Sequence, residues 1–307
     1  MMLLFATSDK GGTGRSVTSC NLAYRHALQG KDACYLDFDF GSPTAGAIFD
    51  LPEALAGIPG GGLHSYLIDG ETEPREINIW ASSQREALRA RPSGAGELTL
   101  LPGDRGRGEF SSGPGIVDRC AELLLRLDEE YDLVLVDLSA GRSYATEIVL
   151  EATASEALRD RVMSRWIVFH RWTRQHIIAA SNLVQGPQGI LETGAQKGHS
   201  PAELADRIRF VRTAVLDPSA PEQAGLRPEQ LAWLDVCNRR LQELASRSGV
   251  GQAKLLGEVP LDPVLQWQEQ LLSNDDVWMY RTANERTVNA LEELAKRIVD
   301  DAAWEGL

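Results

Sequence analysis

At 307 residues, with 43% hydrophobic and 24% charged side chains, the chain has an ordinary globular composition, which excludes global disorder and suits one large α/β domain or two small ones. The formal net charge of -13 sets up a field that repels DNA and anionic lipid, so either partner would need a local basic patch. Cys20, Cys34, Cys120 and Cys237 lack the paired spacing of a zinc site or a disulfide framework and read as reduced and mostly buried. No run approaches the ~20 apolar residues of a membrane span, and the amino terminus lacks the charged start of a signal peptide, so the expected location is cytoplasmic.

Met2 to Thr7 is an apolar run ending at glycines, which suits a buried strand feeding a loop. Ser16 to Leu28 reads as a helix closed by Gly30 in a left-handed conformation. Ala33 to Phe38 is a second strand, and Gly57 to Gly62 is a loop before a helix around His64 to Ile68. Residues 70–115 hold one convincing strand, Leu98 to Leu101, and otherwise read as a peripheral excursion with mobile loops. A helix over Ile116 to Leu127 and a continuous apolar strand over Leu133 to Val136 follow.

Beyond these come a helix near Glu147 to Leu158, a strand at Trp166 to Phe169, a helix near Thr173 to Val184, a Gly-rich loop and a strand at Ile208 to Thr213. A long amphipathic helix from Pro228 to Ser246, a strand at Leu255 to Val259 and a helix from about Asn284 to Val299 complete the chain. Alternation of strands and helices over nearly the whole length predicts a single α/β domain over 1–307, with a doubly wound, mostly parallel sheet flanked by helices.

The chemistry concentrates at Lys10, Gly11, Gly12, Thr13, Gly14, Arg15, Ser16 and Val17. Backbone amides can turn inward to cradle phosphate oxygens only where side chains do not block them, and Gly11, Gly12 and Gly14 meet that need. The loop opens a helix, whose amino-terminal partial charge attracts phosphate, and Ser16 is placed to offer its hydroxyl to magnesium. The standard phosphate loop has glycine where this chain has Asp9 and lysine where it has Arg15.

With these departures the loop resembles that of the ParA/MinD family of deviant Walker A ATPases, whose additional lysine is matched by Lys10. Three further segments fall in that family's order. Tyr35-Leu36-Asp37-Phe38-Asp39-Phe40-Gly41 resembles its second acidic motif, Tyr131 to Gly141 resembles its Walker B strand and switch, and Leu255 to Asp262 is similar to the late strand and proline turn. Strand alternation points Asp37 and Asp39 the same way.

The resemblance implies a site for ATP and Mg2+. Lys10 would reach across a nucleotide-sandwich homodimer, Asp39 would orient the attacking water, and Ser16, Asp37 and Asp137 would surround the metal. Gly141 would let the switch respond to the γ-phosphate, and Pro260 would border the base. Arg212 and Thr213 stand where relatives often place a base-reading asparagine, so adenine preference comes from the resemblance alone.

The implied function is an ATP-driven dimerisation switch that hydrolyses ATP and controls a partner protein, either activator or cargo. Arg15 keeps the positive charge of lysine in a bulkier planar fork, so binding can survive while hydrolysis slows. Acidic charge disfavours DNA as the partner. Glu292, Glu293, Asp300, Asp301 and Glu305 in the tail argue against a direct membrane anchor of the MinD kind.

Two alternatives stay open. One is a nucleotide-binding regulatory module impaired in hydrolysis, motivated by Arg15. The other is a metal-delivery protein like the nitrogenase iron protein, which would need a cysteine pair near the dimer axis. The basic and aromatic cluster of Arg165, Trp166, Phe169, His170, Arg171, Trp172, Arg174 and His176 reads either as core packing with a solvated helix start or as a recognition surface.

Overall fold

The computed structural model describes residues 2–70, 73–89, 91–159, 161–220 and 225–305. Eight strands form one sheet: β1 (Met2–Thr7), β2 (Ala33–Phe38), β3 (Ile77–Asn78), β4 (Leu98–Leu101), β5 (Leu133–Leu138), β6 (Ser164–Arg171), β7 (Ile208–Val215) and β8 (Leu255–Pro260). Their spatial order is β3-β4-β2-β5-β1-β6-β7-β8, and every pairing is parallel except the short antiparallel one between β3 and β4. Strands buried on both faces need no polar alternation, which is why β1, β2 and β5 read as apolar runs.

Side-chain alternation divides the apolar interior between the two faces. Leu4, Ala6, Tyr35 and Leu135 face the helix α1 (Arg15–Leu28) and the helix Glu285–Arg297, whereas Phe5, Leu36, Phe38 and Val136 face the helices Pro114–Glu130, Tyr144–Ala154 and Arg174–Gln185. The doubly wound α/β fold is therefore present. Gly30, at φ 83°, follows α1 in the left-handed conformation expected of it.

Several elements differ from the expectation. Residues 73–115 lie at the sheet edge yet are well packed: Ile77, Ile79, Trp80 and Leu88 are buried, and the Trp80 indole donates to Gly96 O at 3.0 Å. Residues 71, 72 and 90 of that stretch lie outside the described residues. The helix expected over 147–158 stops at Ala154, because Ser155 is extended, and resumes over Glu156–Arg159. The Gly-rich loop after residue 185 contains two helices, Ile190–Lys197 and Pro201–Asp206, the second capped by the Ser200 hydroxyl.

The segment after β8 also forms short helices, Pro263–Trp267 and Asn274–Trp278. Long-range contacts with α1 hold the stretch between them. The Asn21 amide donates to Gln270 O and its oxygen accepts from Leu272 N, while the buried Arg25 guanidinium donates to Leu272 O, Asn274 and Glu292.

Arg25→Ala removes three charge-assisted hydrogen bonds at a buried position and leaves their acceptors unmatched. We expect it to lower the unfolding free energy by about 3 kcal/mol in urea denaturation. Asp235→Ala, which breaks the exposed pair with Arg239, should change it by less than about 0.5 kcal/mol.

Candidate functional site

The candidate loop joins β1 to α1 at the carboxyl edge of the sheet, where open α/β sheets bind ligands. Gly12 and Gly14 have φ of 71° and 74°, which L side chains rarely adopt, so the turn depends on glycine there. A Cβ at Gly11 or Gly12 would meet nothing within 4 Å, because both face open space. The Thr213 hydroxyl at the end of β7 holds the loop from behind, donating to Thr13 O at 2.6 Å.

Two cavities meet at this loop. A smaller one of ≈ 190 Å³ is lined by residues 11–17 together with Ser8, Asp39, Thr44, Ile48, Ala140 and Glu269. A larger one of ≈ 390 Å³ lies over Gly12, Thr13, Gly14, Val17 and Thr18 and is bounded by Thr213, Val259, Pro260 and the segment from Leu265 to Glu269. Glu269 lines both. Together they make one elongated recess with a phosphate-sized end and a wider end, and the wider end is in the size range of small-molecule sites.

The register of the sheet sets the electrostatics. Asp37 of β2 pairs directly with Asp137 of β5, so two carboxylates stand side by side on the face that α1 covers. Asp37 is fully enclosed; burial, and then the charge of Asp137, pushes its pKa up to about 8, so it keeps its proton near neutrality. Its Oδ2 accepts from Ala45 N at 3.0 Å, and its Oδ1 is buried with no hydrogen-bond partner among the described residues. Asp137 accepts from the Tyr35 hydroxyl at 2.8 Å on Oδ2.

The remaining Asp137 oxygen takes a hydrogen bond from Arg15 Nε at 2.5 Å, and Arg15 Nη2 reaches Asp39 Oδ2 at 2.8 Å and Ser16 Oγ at 3.3 Å. The guanidinium is thus enclosed among three of the oxygen donors assigned to magnesium and water. Burial works against its charge, but Asp137 and Asp39 more than offset that and raise its pKa, so it remains protonated. Asp39, at 21% side-chain exposure against 1% for Asp137, is the carboxylate nearer solvent.

Lys10 is exposed, and among the described residues its ammonium makes no hydrogen bond or ion pair. Gly141, at φ 81°, donates to Ser8 O at 2.7 Å, and Arg142 pairs with Asp9 at 3.4 Å, so the segment after β5 is tied to the loop.

The structure therefore brings Arg15, Ser16, Asp39 and Asp137 together. Asp37 is a close neighbour aimed at the Ala45 amide instead of at the same point as Asp39. Pro260 stands at the wide cavity.

Sequence reasoning assigned no role to Tyr35, Thr213, Glu269 or Trp267. Tyr35 sits two residues before Asp37 and so shares its face, a signal that was available; Glu269 and Trp267 lie in a segment without periodicity. The basic and aromatic cluster divides. Trp166, Phe169, His170 and Trp172 are buried, and Arg165 is tied to Ile298 O and Asp301. Arg174 is exposed, and Arg171 lines the wide cavity.

No helix among the described residues is long and apolar enough to cross a membrane. No family model matches the sequence. The cytosolic Fe-S cluster assembly factor cfd1 of Aspergillus oryzae is 27% identical over 205 residues, which cover 64% of this chain and 56% of that protein. The chain thus spans little more than half the length of this relative.

Solved structures match over nearly their full length, two of them as follows. MinD of Pyrococcus horikoshii complexed with Mg-ADP is 14% identical, with 98% of this chain and 97% of that one covered and a TM-score of 0.57. A ParA family ATPase from Chlorobium tepidum is also 14% identical, with 96% and 97% covered and a TM-score of 0.54. Identity this low speaks to architecture alone, and in architecture this chain has the fold of the MinD and ParA family ATPase structures.

Proposed function

We propose that the chain binds Mg-ATP on the loop Lys10 to Val17, dimerises around it, hydrolyses it slowly to ADP and phosphate, and in doing so controls a partner protein or cargo. The observation that carries this reading is the convergence of Arg15, Ser16, Asp39 and Asp137 at the narrow end of a recess floored by open glycines. In this reading the phosphates lie at the narrow end of that recess and the nucleoside at the wide end. The wide end, with Pro260 on its wall, is the place for the base.

The donor set suits magnesium. Ser16 offers a hydroxyl and Asp137 a carboxylate, both hard oxygens, and a cation already sits against them in the form of the Arg15 guanidinium. Ser16 and Asp137 would hold the ion, with Asp37 behind them, and the ion would supply charge neutralisation to the phosphates. Asp39, the more exposed carboxylate, is the group placed to orient water. Lys10 is exposed, makes no side-chain hydrogen bond or ion pair among the described residues and lies outside the lining of both cavities, so it is available to a second copy's nucleotide.

The dimer makes a distinct expectation. Light scattering in Mg-ATP should show a shift from monomer to dimer for the wild type and a more persistent one for Asp39→Ala, with Lys10→Ala remaining monomeric. The switch fails if neither wild type nor Asp39→Ala changes mass with ATP.

A second reading, a regulatory module impaired in hydrolysis, is favoured by the position of Arg15. Leaving two carboxylates for a phosphate sets a barrier that a flexible lysine would meet with fewer fixed hydrogen bonds. Arg15→Lys should therefore raise the rate of phosphate release several-fold, while Arg15→Ala should weaken ATP binding by about tenfold or more through loss of charge-assisted contacts. A wild-type rate equal to that of Arg15→Lys would count against impairment.

Iron–sulfur cluster assembly, which the name of the Aspergillus relative suggests, draws less from this structure. Cys20, Cys34 and Cys120 are buried, and among the described residues no three His, Cys, Asp or Glu groups are placed to hold a metal ion. An iron assay on the purified protein tests it directly.

A further inference from the structure

Trp267 is the largest exposed apolar side chain of the recess. It lines the wide cavity together with Gly12, Thr13, Gly14 and Pro260, and it is 81% exposed. An indole normally buries most of its surface, so one left in water on a well-held support is a group awaiting a contact.

The support is well held at both ends. Asp262, itself buried, caps the helix Pro263–Trp267 through Val264 N at 3.2 Å and binds Asn284 N at 2.9 Å. Just past the indole, Gln270 O and Leu272 are bonded to Asn21 and Arg25 of α1, the helix that carries the phosphate loop. Phosphate loop and indole are therefore fixed to the same helix, which sets the gap between them. The cavity of ≈ 390 Å³ that the indole lines is also lined by Val259 and Pro260.

We propose that Trp267 stacks on the base of the bound nucleotide, making an aromatic lid that selects bases by their π surface, with Pro260 lining the same cavity. This rests on the ATP-binding reading above. Stacking asks little of hydrogen-bond pattern, which fits a pocket where Thr213 stands instead of an asparagine. It predicts a preference for purine over pyrimidine nucleotides set by overlap area.

Isothermal titration of the full chain with ATP, UTP and inorganic tripolyphosphate separates the contributions. Trp267→Ala should weaken ATP by about tenfold, Trp267→Phe should stay within about threefold of wild type, and tripolyphosphate should bind all three equally. The wild type should also bind ATP more tightly than UTP, and Trp267→Ala should narrow that difference. Equal ATP affinity in wild type and Trp267→Ala overturns the lid and leaves the nucleotide site standing, with the indole then free to serve a partner protein. Equal losses of ATP and tripolyphosphate in Trp267→Ala also overturn it, since the damage would lie in the phosphate loop. A wild type that binds neither ligand removes the nucleotide reading itself.

Discussion

Asp37 and Asp137 are register partners on adjacent parallel strands, and the need to keep two neighbouring carboxylates tolerable in a dry place organises the whole site. Each is handled differently. Asp37, under α1 with a single amide for company, keeps its proton, whereas Asp137 is met by a tyrosine hydroxyl and a guanidinium. Two like groups in nearly the same spot thereby meet different partners, one a lone backbone amide and the other a hydroxyl and a guanidinium. Register makes this unavoidable: shifting β2 by one residue against β5 would turn Asp37 to the other face and break the pair.

Much of this architecture was legible in the chain. The strands before and after the loop are apolar runs bounded by glycine or aspartate, and covering both faces of a parallel sheet leaves them no other pattern. Gly12 and Gly14 announced the turn because left-handed backbone requires them. The order of the acidic segments then placed Asp39 and Asp137 at one edge of the sheet.

The illegible part depends on contacts between distant residues. Nothing local to Arg15 says that its side chain will fold back across the strand ends, since the bond to Asp137 spans 122 positions. The segment after β8 buries Val264, Leu271, Leu272 and Val277 at irregular spacing, and hydrogen bonds to Asn21 and Arg25 hold the backbone between its short helices, so those helices and Trp267 went unread. The two helices within 190–206 were hidden for another reason: their boundaries are glycines and a Ser–Pro cap, residues that also signal loops.

The Arg15 guanidinium explains why replacing lysine at this position changes more than size. A planar fork can hydrogen-bond Asp137 through Nε and Asp39 through Nη2 at once, which a point-charge ammonium cannot match with the same rigidity. Removing a charge from a buried pair leaves the other charge uncompensated, so a phosphate that captured Arg15 in the proposed site would have to outbid two carboxylates, which a bound cation would then compensate. The residue that bridges Asp39 and Asp137 is thus the one that a phosphate in the proposed site would recruit. On the ATP-binding reading, that coupling makes the transfer of this side chain between partners a step of nucleotide binding that a lysine would pass with fewer fixed hydrogen bonds to break.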